Sequence, residues 1–169
     1  ITPTPVLSYY VKTSELSAGV EITASHNPPE YNGVKFKAGY GGPFFTEQTH
    51  EVEILIGKSK VVRSEENVFR TDLFPEYLAQ LESLIDFEAI SKSNLNILVD
   101  SIGGAGEKLI QHILEKKKIK CETIFGKSDI NFYARLAELI EKNLKPLKTK
   151  LCSESFYSMG LATDGDADR

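Results

Sequence analysis

The second half of the chain alternates short aliphatic runs with stretches of helical periodicity, and this alternation restricts the fold more than any other feature. The aliphatic runs lie at residues 97–99, 119–125 and 159–163. Each run predicts a strand. Apolar residues at helical spacing predict helices over residues 109–114 and 133–144, the second of which ends at Pro146. The order strand, helix, strand, helix, strand predicts an α/β fold with a largely parallel or mixed sheet and flanking helices.

The first half of the chain carries a weaker pattern of the same kind. Thr4 is expected to cap a helix that has Pro5 at its first position. Residues 19–22 then predict a buried strand, and residues 34–37 predict a second strand. A short amphipathic helix is predicted over residues 46–56.

A polar connection over residues 57–70 separates the two halves, and a helix opened by Thr71 and Asp72 follows it. The apolar face of this helix consists of Phe74, Tyr77, Leu78, Leu81, Leu84 and Ile85. We therefore predict two incomplete α/β domains, one at residues 1–70 and one at residues 71–169.

The composition argues against several classes of partner. The net charge of −4 disfavours a general nucleic-acid binder, which needs a basic surface. No apolar run approaches the roughly 18 residues of a membrane span, so we expect no membrane partner. Cys121 and Cys152 are far apart in the sequence, which fits reduced thiols in a cytoplasmic protein. Because the chain begins at Ile1 and stops at Arg169 after an acidic run, we expect a piece of a longer protein, of unknown oligomeric state.

The run D-G-D-A-D-R at residues 164–169 follows the last predicted strand. In an extended loop, Asp164, Asp166 and Asp168 turn three carboxylates to one side, where they repel one another unless a cation neutralises them. Hard oxygen ligands favour Mg²⁺ or Ca²⁺, and Arg169 beside a metal would suit a phosphoryl group. A solvated acidic turn is the alternative. An EF-hand is disfavoured because that motif needs glycine where Arg169 stands and a helix where we predict a strand.

A loop rich in Asn, Pro and Gly follows the first predicted strand and carries Ser25 beside His26. Adjacent residues on an extended segment point in opposite directions, so we predict that these two side chains do not form a nucleophile–base pair. A functional serine and an incidental serine in a turn are about equally supported by these residues. The glycine-rich run at residues 103–106 indicates a strand-to-helix turn with close backbone approach, because it lacks the G-x-G-x-x-G spacing of a nucleotide-binding turn.

Two runs together resemble the α-D-phosphohexomutase family, which includes phosphoglucomutase and phosphomannomutase. T-A-S-H-N-P at residues 23–28, with G-V-K at residues 33–35, is similar to the active-serine loop of that family, and D-G-D-A-D-R is similar to its metal-binding loop. The resemblance covers essentially the whole chain and implies the later part of domain 1 and most of domain 2 of a four-domain enzyme. The chain departs from it at residues 131–138, where many members carry a Pro-rich segment.

The resemblance implies a role for each polar residue of these runs. Ser25 would carry the transferable phosphoryl group and would complete an Mg²⁺ site formed by the three aspartates. Arg169 would lie near the phosphoryl group, while His26 and Lys35 would occupy active-site positions, Lys35 as a proton-transfer or charge-stabilising group. The implied reaction interconverts hexose 1-phosphate and hexose 6-phosphate through the phosphoserine and a hexose 1,6-bisphosphate, which is both intermediate and activator.

Other functions stay open at this point. A Mg²⁺-dependent phosphohydrolase would use the same aspartates, and the chain in isolation could be a non-catalytic module that binds sugar phosphates or metal. Among mutases, Thr23 and Ala167 favour a gluco- or mannomutase over a glucosamine mutase. We expect the 169 residues alone to be inactive, because the resemblance places the sugar-binding domains outside them.

Overall fold

The computed structural model describes residues 1–64, 66 and 68–169 and confirms the α/β fold class. Its helices are α1 (Thr4–Thr13), α2 (Thr46–Leu55), α3 (Phe74–Leu84), α4 (Phe87–Lys92), α5 (Leu109–Lys116) and α6 (Lys145–Ser153). Its strands are β1 (Ala18–Ile22), β2 (Val34–Ala38), β3 (Asn96–Asp100), β4 (Lys120–Ile124) and β5 (Met159–Ala162). Among the described residues, no helix combines the length and apolar character that crossing a membrane requires.

The second half forms the predicted parallel sheet, with β3 between β4 and β5. In its register, Ile97 lies opposite Cys121 on one side and Met159 on the other. The helices α5 and α6 lie in the two crossovers and pack against the sheet. The buried core on the α5 side of the sheet contains Phe87, Ile97, Val99, Leu114 and Ile119. Because the strands are parallel, the loops after β3 and β5 emerge at the same carboxyl edge.

The first half contains an antiparallel pair, in which β1 and β2 run from Ala18 opposite Ala38 to Ile22 opposite Val34. The prediction that β1 is buried is wrong, since Val20 is 57% exposed and Ile22 is 67% exposed. The helix α1 covers the other face, where an added Cβ at Gly19 would lie 2.5 Å from Val11 Cγ2. Residues 23–33 form the loop that joins the two strands.

The helix predicted over residues 133–144 is wrong. The Asp129 carboxylate accepts hydrogen bonds from the backbone N–H groups of Asn131 at 2.9 Å and Tyr133 at 3.1 Å, so the chain makes a tight local turn there. Tyr133 has a left-handed φ of 55°, which interrupts any regular helix. Pro146 lies in the first turn of α6 instead of ending a helix, because proline is tolerated where the N–H groups have no partner within the helix.

Other helix boundaries also differ from the sequence patterns. Pro3 occupies the cap position of α1, and Thr4 is its first residue. Leu73 precedes α3, while the Asp72 carboxylate accepts a hydrogen bond from the Phe74 N–H at 3.0 Å. The short helix α4 was not predicted. Of the predicted connection at residues 57–70, positions 65 and 67 lie outside the described residues, and the others carry neither helix nor strand. The domain division near residue 70 stays a prediction.

Candidate active site

The acidic run follows β5 and gathers its carboxylates at the carboxyl edge of the parallel sheet. Asp164, Asp166 and Asp168 each present a carboxylate oxygen within 4.8 Å of the other two. Asp164 is fully buried, and Asp166 is only 3% exposed. The Asp164 Oδ1 atom accepts hydrogen bonds from the backbone N–H groups of Asp168 at 3.1 Å and Arg169 at 3.3 Å. These bonds fold the run back on itself, so the carboxylates converge.

Glycines let three backbone segments meet at this loop. An added Cβ at Gly104 would lie 2.6 Å from the Gly165 carbonyl oxygen, which accepts a hydrogen bond from the Ala105 N–H at 2.8 Å. The predicted close backbone approach of residues 103–106 is therefore confirmed. An added Cβ at Gly165 would lie 2.2 Å from the Ser25 carbonyl oxygen. The acidic loop is thus held between the glycine turn after β3 and the serine loop.

The serine loop makes a turn at Ser25, which has a left-handed φ of 56°. Its N–H donates to Thr23 Oγ1 at 2.8 Å, and the Thr23 N–H donates to the Gly33 carbonyl at 3.1 Å, closing the base of the loop. His26 Nδ1 lies 3.3 Å from Ser25 Oγ, in a contact whose donor depends on the histidine tautomer. The prediction that these side chains point apart is wrong, because it assumed an extended segment.

Lys35 on β2 joins the serine to the carboxylates. Its Nζ lies 2.6 Å from Asp166 Oδ2, 3.3 Å from Asp168 Oδ2 and 3.3 Å from Ser25 Oγ. Burial disfavours the charged form, but the hydrogen bond and the negative charge of Asp166, aided by Asp168, raise the pKa of Lys35 above its ordinary value. The group beside Ser25 is therefore an ammonium.

The electrostatics of the aspartates fit a divalent cation. Burial, followed by the negative charges of Asp166 and Asp168, raises the pKa of Asp164. Burial also acts to raise the pKa of Asp166, but hydrogen bonds from Lys35 and Thr4 lower it below its ordinary value. Asp164 Oδ2 and Asp166 Oδ1 are buried and accept no hydrogen bond from the described residues. Hard oxygens that are buried, convergent and without donors are suitable ligands for Mg²⁺.

Comparison with known proteins identifies the family. The profile of phosphoglucomutase/phosphomannomutase alpha/beta/alpha domain I matches residues 1–62, and the profile of domain II matches residues 75–169. The chain belongs to the phosphoglucomutase/phosphomannomutase family. Domain I of this family accordingly supplies Ser25 and Lys35 to the site, and domain II supplies the acidic loop.

Individual relatives carry the names of several mutases. A phosphoglucomutase/phosphomannomutase of Thermococcus kodakarensis is 32% identical over 100% of this chain and 38% of its own length. A phosphopentomutase of the same organism is 35% identical over 100% of this chain and 37% of its own. A phosphoglucosamine mutase of Methanococcus maripaludis is 33% identical over 100% of this chain and 38% of its own. The chain therefore spans about 38% of the length of the curated relatives it matches.

A solved structure supports the same family. The protein from Thermus thermophilus that carries the provisional name phosphomannomutase has a TM-score of 0.89 and 36% identity to this chain. The match covers 99% of this chain and 39% of that one.

The remaining residue predicted for the site, Arg169, lies on the acidic loop and is half-exposed. Its Nε lies 3.9 Å from Asp164 Oδ2 and 3.8 Å from Asp168 Oδ1, so its contacts are ion pairs with the carboxylates. Its proposed contact with a phosphoryl group stays a prediction.

Sequence reasoning missed the part that two threonines play in the site. Thr4 was expected to cap α1, but its hydroxyl oxygen lies 2.8 Å from Asp166 Oδ2 and 2.7 Å from Glu21 Oε2. Thr23 was identified only as part of the family motif, and its hydroxyl donates to Asp166 Oδ2 at 3.3 Å. A threonine directly before a proline is typical of a helix start, so the pattern at Thr4 indicated a local role alone.

Proposed function

We propose that this chain forms the phosphoryl-transfer centre of a Mg²⁺-dependent phosphohexomutase, a cytoplasmic enzyme of carbohydrate metabolism. The observation that carries the proposal is the position of the Lys35 ammonium, which contacts both Ser25 Oγ and the carboxylates of Asp166 and Asp168. A hydroxyl, a cation and a convergent set of carboxylates are what reversible phosphorylation of a serine requires.

Each side chain has a distinct part in this proposal. Ser25 Oγ would carry the phosphoryl group, and His26, at 3.3 Å, is positioned to exchange a proton with that oxygen. Lys35 and Arg169 would stabilise the negative charge of the phosphoryl oxygens. The three aspartates, with an oxygen of the phosphoserine, would hold Mg²⁺. When bound, Mg²⁺ would offset the charge of about −1.5 to −2 that phosphorylation adds beside the carboxylates.

The reaction would move one phosphoryl group in each of two steps. The phosphoserine donates its group to a hydroxyl of a hexose monophosphate, forming a hexose 1,6-bisphosphate and a free serine. After the bisphosphate turns around, Ser25 Oγ takes the phosphoryl group from its other end, and the isomeric monophosphate leaves. Because phosphate monoesters hydrolyse very slowly in water, the serine can store the group between turnovers.

The preferred substrate is proposed to be a glucose or mannose phosphate. The names of the relatives extend to pentose and glucosamine phosphates, so the family alone is compatible with each of these sugars. An assay of the full-length protein with the four sugar 1-phosphates, in the presence of Mg²⁺ and the matching bisphosphate, would identify the substrate.

Ser25→Ala in the full-length protein tests the proposal. We expect the variant to lose mutase activity. Intact-mass analysis should show a phosphate on the wild-type protein that excess sugar removes, and no such phosphate on Ser25→Ala. Ser153→Ala is the matched control, because Ser153 is exposed and its hydroxyl bonds only the Lys150 carbonyl among the described residues.

The outcomes separate this proposal from its alternatives. Retained isomerisation in Ser25→Ala would contradict it. Release of inorganic phosphate without isomerisation would instead support a phosphohydrolase. Binding of Mg²⁺ and sugar phosphate without turnover by the full-length protein would support a non-catalytic module.

A further inference from the structure

Thr4 contacts the acidic loop at two points. It is the first residue of α1, so its N–H has no partner within the helix and donates instead to the Asp166 carbonyl at 2.9 Å. Its hydroxyl lies 2.8 Å from Asp166 Oδ2. The residue is only 3% exposed, so water competes little for either contact.

The Thr4 hydroxyl has a single proton and also lies 2.7 Å from Glu21 Oε2. In both contacts the Thr4 hydroxyl is the donor, so its one proton is shared between the carboxylates of Glu21 and Asp166. The Thr4 N–H bond to the Asp166 carbonyl does not depend on which carboxylate receives that proton.

Thr23 reaches the same oxygen from the serine loop. Its hydroxyl donates to Asp166 Oδ2 at 3.3 Å and accepts the Ser25 N–H at 2.8 Å. One hydroxyl can make both bonds, since it has one proton to donate and lone pairs to accept. Thr23 thereby fixes the backbone of Ser25 relative to the carboxylate.

The two oxygens of Asp166 are consequently in different environments. Oδ2 accepts hydrogen bonds from Thr4, Thr23 and Lys35. Oδ1 is buried and has no hydrogen-bond partner in the part of the chain that the structure describes. A cation bound at the acidic loop would therefore meet one free oxygen of this carboxylate.

We propose that Thr4 and Thr23 are positioning residues that limit Asp166 to a single metal-facing oxygen and thereby make the site select Mg²⁺ over Ca²⁺. Mg²⁺ binds in a strict octahedron, usually with one oxygen from each carboxylate, whereas Ca²⁺ takes 6–8 oxygens and often both oxygens of a carboxylate. Two-oxygen binding by Asp166 would require breaking the threonine hydrogen bonds. This inference rests on the proposed function in one respect, since it requires the three aspartates to bind a divalent cation.

Calorimetric titration of the full-length protein, with Mg²⁺ alone and with Ca²⁺ alone, tests the inference without any sugar. Thr4→Val removes the hydroxyl with little change of shape and keeps the backbone contact. We expect the ratio of the Ca²⁺ to the Mg²⁺ dissociation constant to fall about tenfold, a change typical of lost outer contacts to a metal ligand. Thr4→Ser keeps the hydroxyl and should keep the wild-type ratio. Thr13→Val is the matched control, because its hydroxyl bonds the Tyr9 carbonyl at the opposite end of α1.

Thr23→Val is an independent test. Because Thr23 is only half-buried, its replacement should destabilise the fold less than that of Thr4. A fall in the ratio in Thr23→Val supports the inference even where Thr4→Val does not fold. An unchanged ratio in Thr23→Val, or an equal loss of affinity for both ions, overturns it. Asp164→Asn tests separately whether the acidic loop binds Mg²⁺ at all. A wild-type protein whose Mg²⁺ affinity equals that of Asp164→Asn refutes the metal site itself, whereas a difference between them leaves that site intact.

Discussion

Replacing Gly165 with alanine tests whether contact between the two loops sets the geometry of the site. A Cβ at this position would lie 2.2 Å from the Ser25 carbonyl oxygen and 3.1 Å from the Cβ of Ala137. The first neighbour is backbone and the second belongs to a fully buried residue, so neither can rotate away. Carbon–oxygen contacts are ordinarily about 3.3 Å or longer. The serine loop and the acidic loop would therefore separate by about 1 Å.

The expected loss of activity follows from that displacement. A shift of about 1 Å between reacting groups costs about 10²-fold in rate, which corresponds to about 2.7 kcal/mol of transition-state stabilisation. Overpacking should also lower the free energy of unfolding by about 1–3 kcal/mol. Steady-state kinetics on glucose 1-phosphate would measure the fall in kcat/KM, and urea denaturation would measure the stability.

Gly57→Ala is the matched control. Gly57 has a φ of +74°, but none of the described residues places an atom within 4 Å of an added Cβ. The same substitution there should cost about 1–2 kcal/mol of stability through backbone strain and leave kcat/KM unchanged. A folded Gly165→Ala protein with wild-type kcat/KM would refute the reasoning, because the loops would then tolerate the separation or absorb the methyl group elsewhere.

Two further predictions concern groups outside the site. Burial raises the pKa of Cys121 to about 11, so its alkylation by iodoacetamide, which requires the thiolate, should accelerate about tenfold per pH unit from about pH 7 to pH 10. Mass spectrometry can follow this reaction separately from that of the exposed Cys152, and a pH-independent rate at Cys121 would contradict the prediction. Arg135→Met would leave the fully buried Asp100 without the guanidinium that donates to both its oxygens at 2.8 and 3.1 Å. Urea denaturation should show a loss of about 3–5 kcal/mol, and an unchanged midpoint would contradict it.

The central strand of the parallel sheet could be predicted from the sequence because it is buried on both faces. Such strands read as continuous aliphatic runs, and residues 97–99 are 4% exposed or less. The error over residues 133–144 has the opposite origin. The apolar spacing fitted a helix, but the Asp129 carboxylate accepts hydrogen bonds from two backbone N–H groups, and Arg135 forms an ion pair with Asp100. A local turn at Asp129 and one distant ion pair thus overrode the apolar spacing.

The two loops of the site could each be predicted from the sequence, but the contacts between them could not. Each loop carries a recognisable local pattern, yet the bond between Lys35 and Asp166 joins residues 131 positions apart. Hydrophobic periodicity predicts local elements and not contacts between residues so far apart in the sequence. Only the family resemblance therefore connected the serine loop with the acidic loop. The contact between Ser25 and His26 was missed for a local reason. Its prediction depended on an extended backbone, and a left-handed serine is not signalled by residue type.

The contacts between the regions that match domains I and II meet at the proposed cation site. Domain I contributes the hydroxyls of Thr4 and Thr23 and the ammonium of Lys35, and all three donate to one oxygen of Asp166 in domain II. The partnerless oxygens of Asp164 and Asp166 are buried in that packed arrangement, where their desolvation is unfavourable without a cation. A cation that binds only the packed state stabilises it in proportion to RT ln(1 + [L]/Kd).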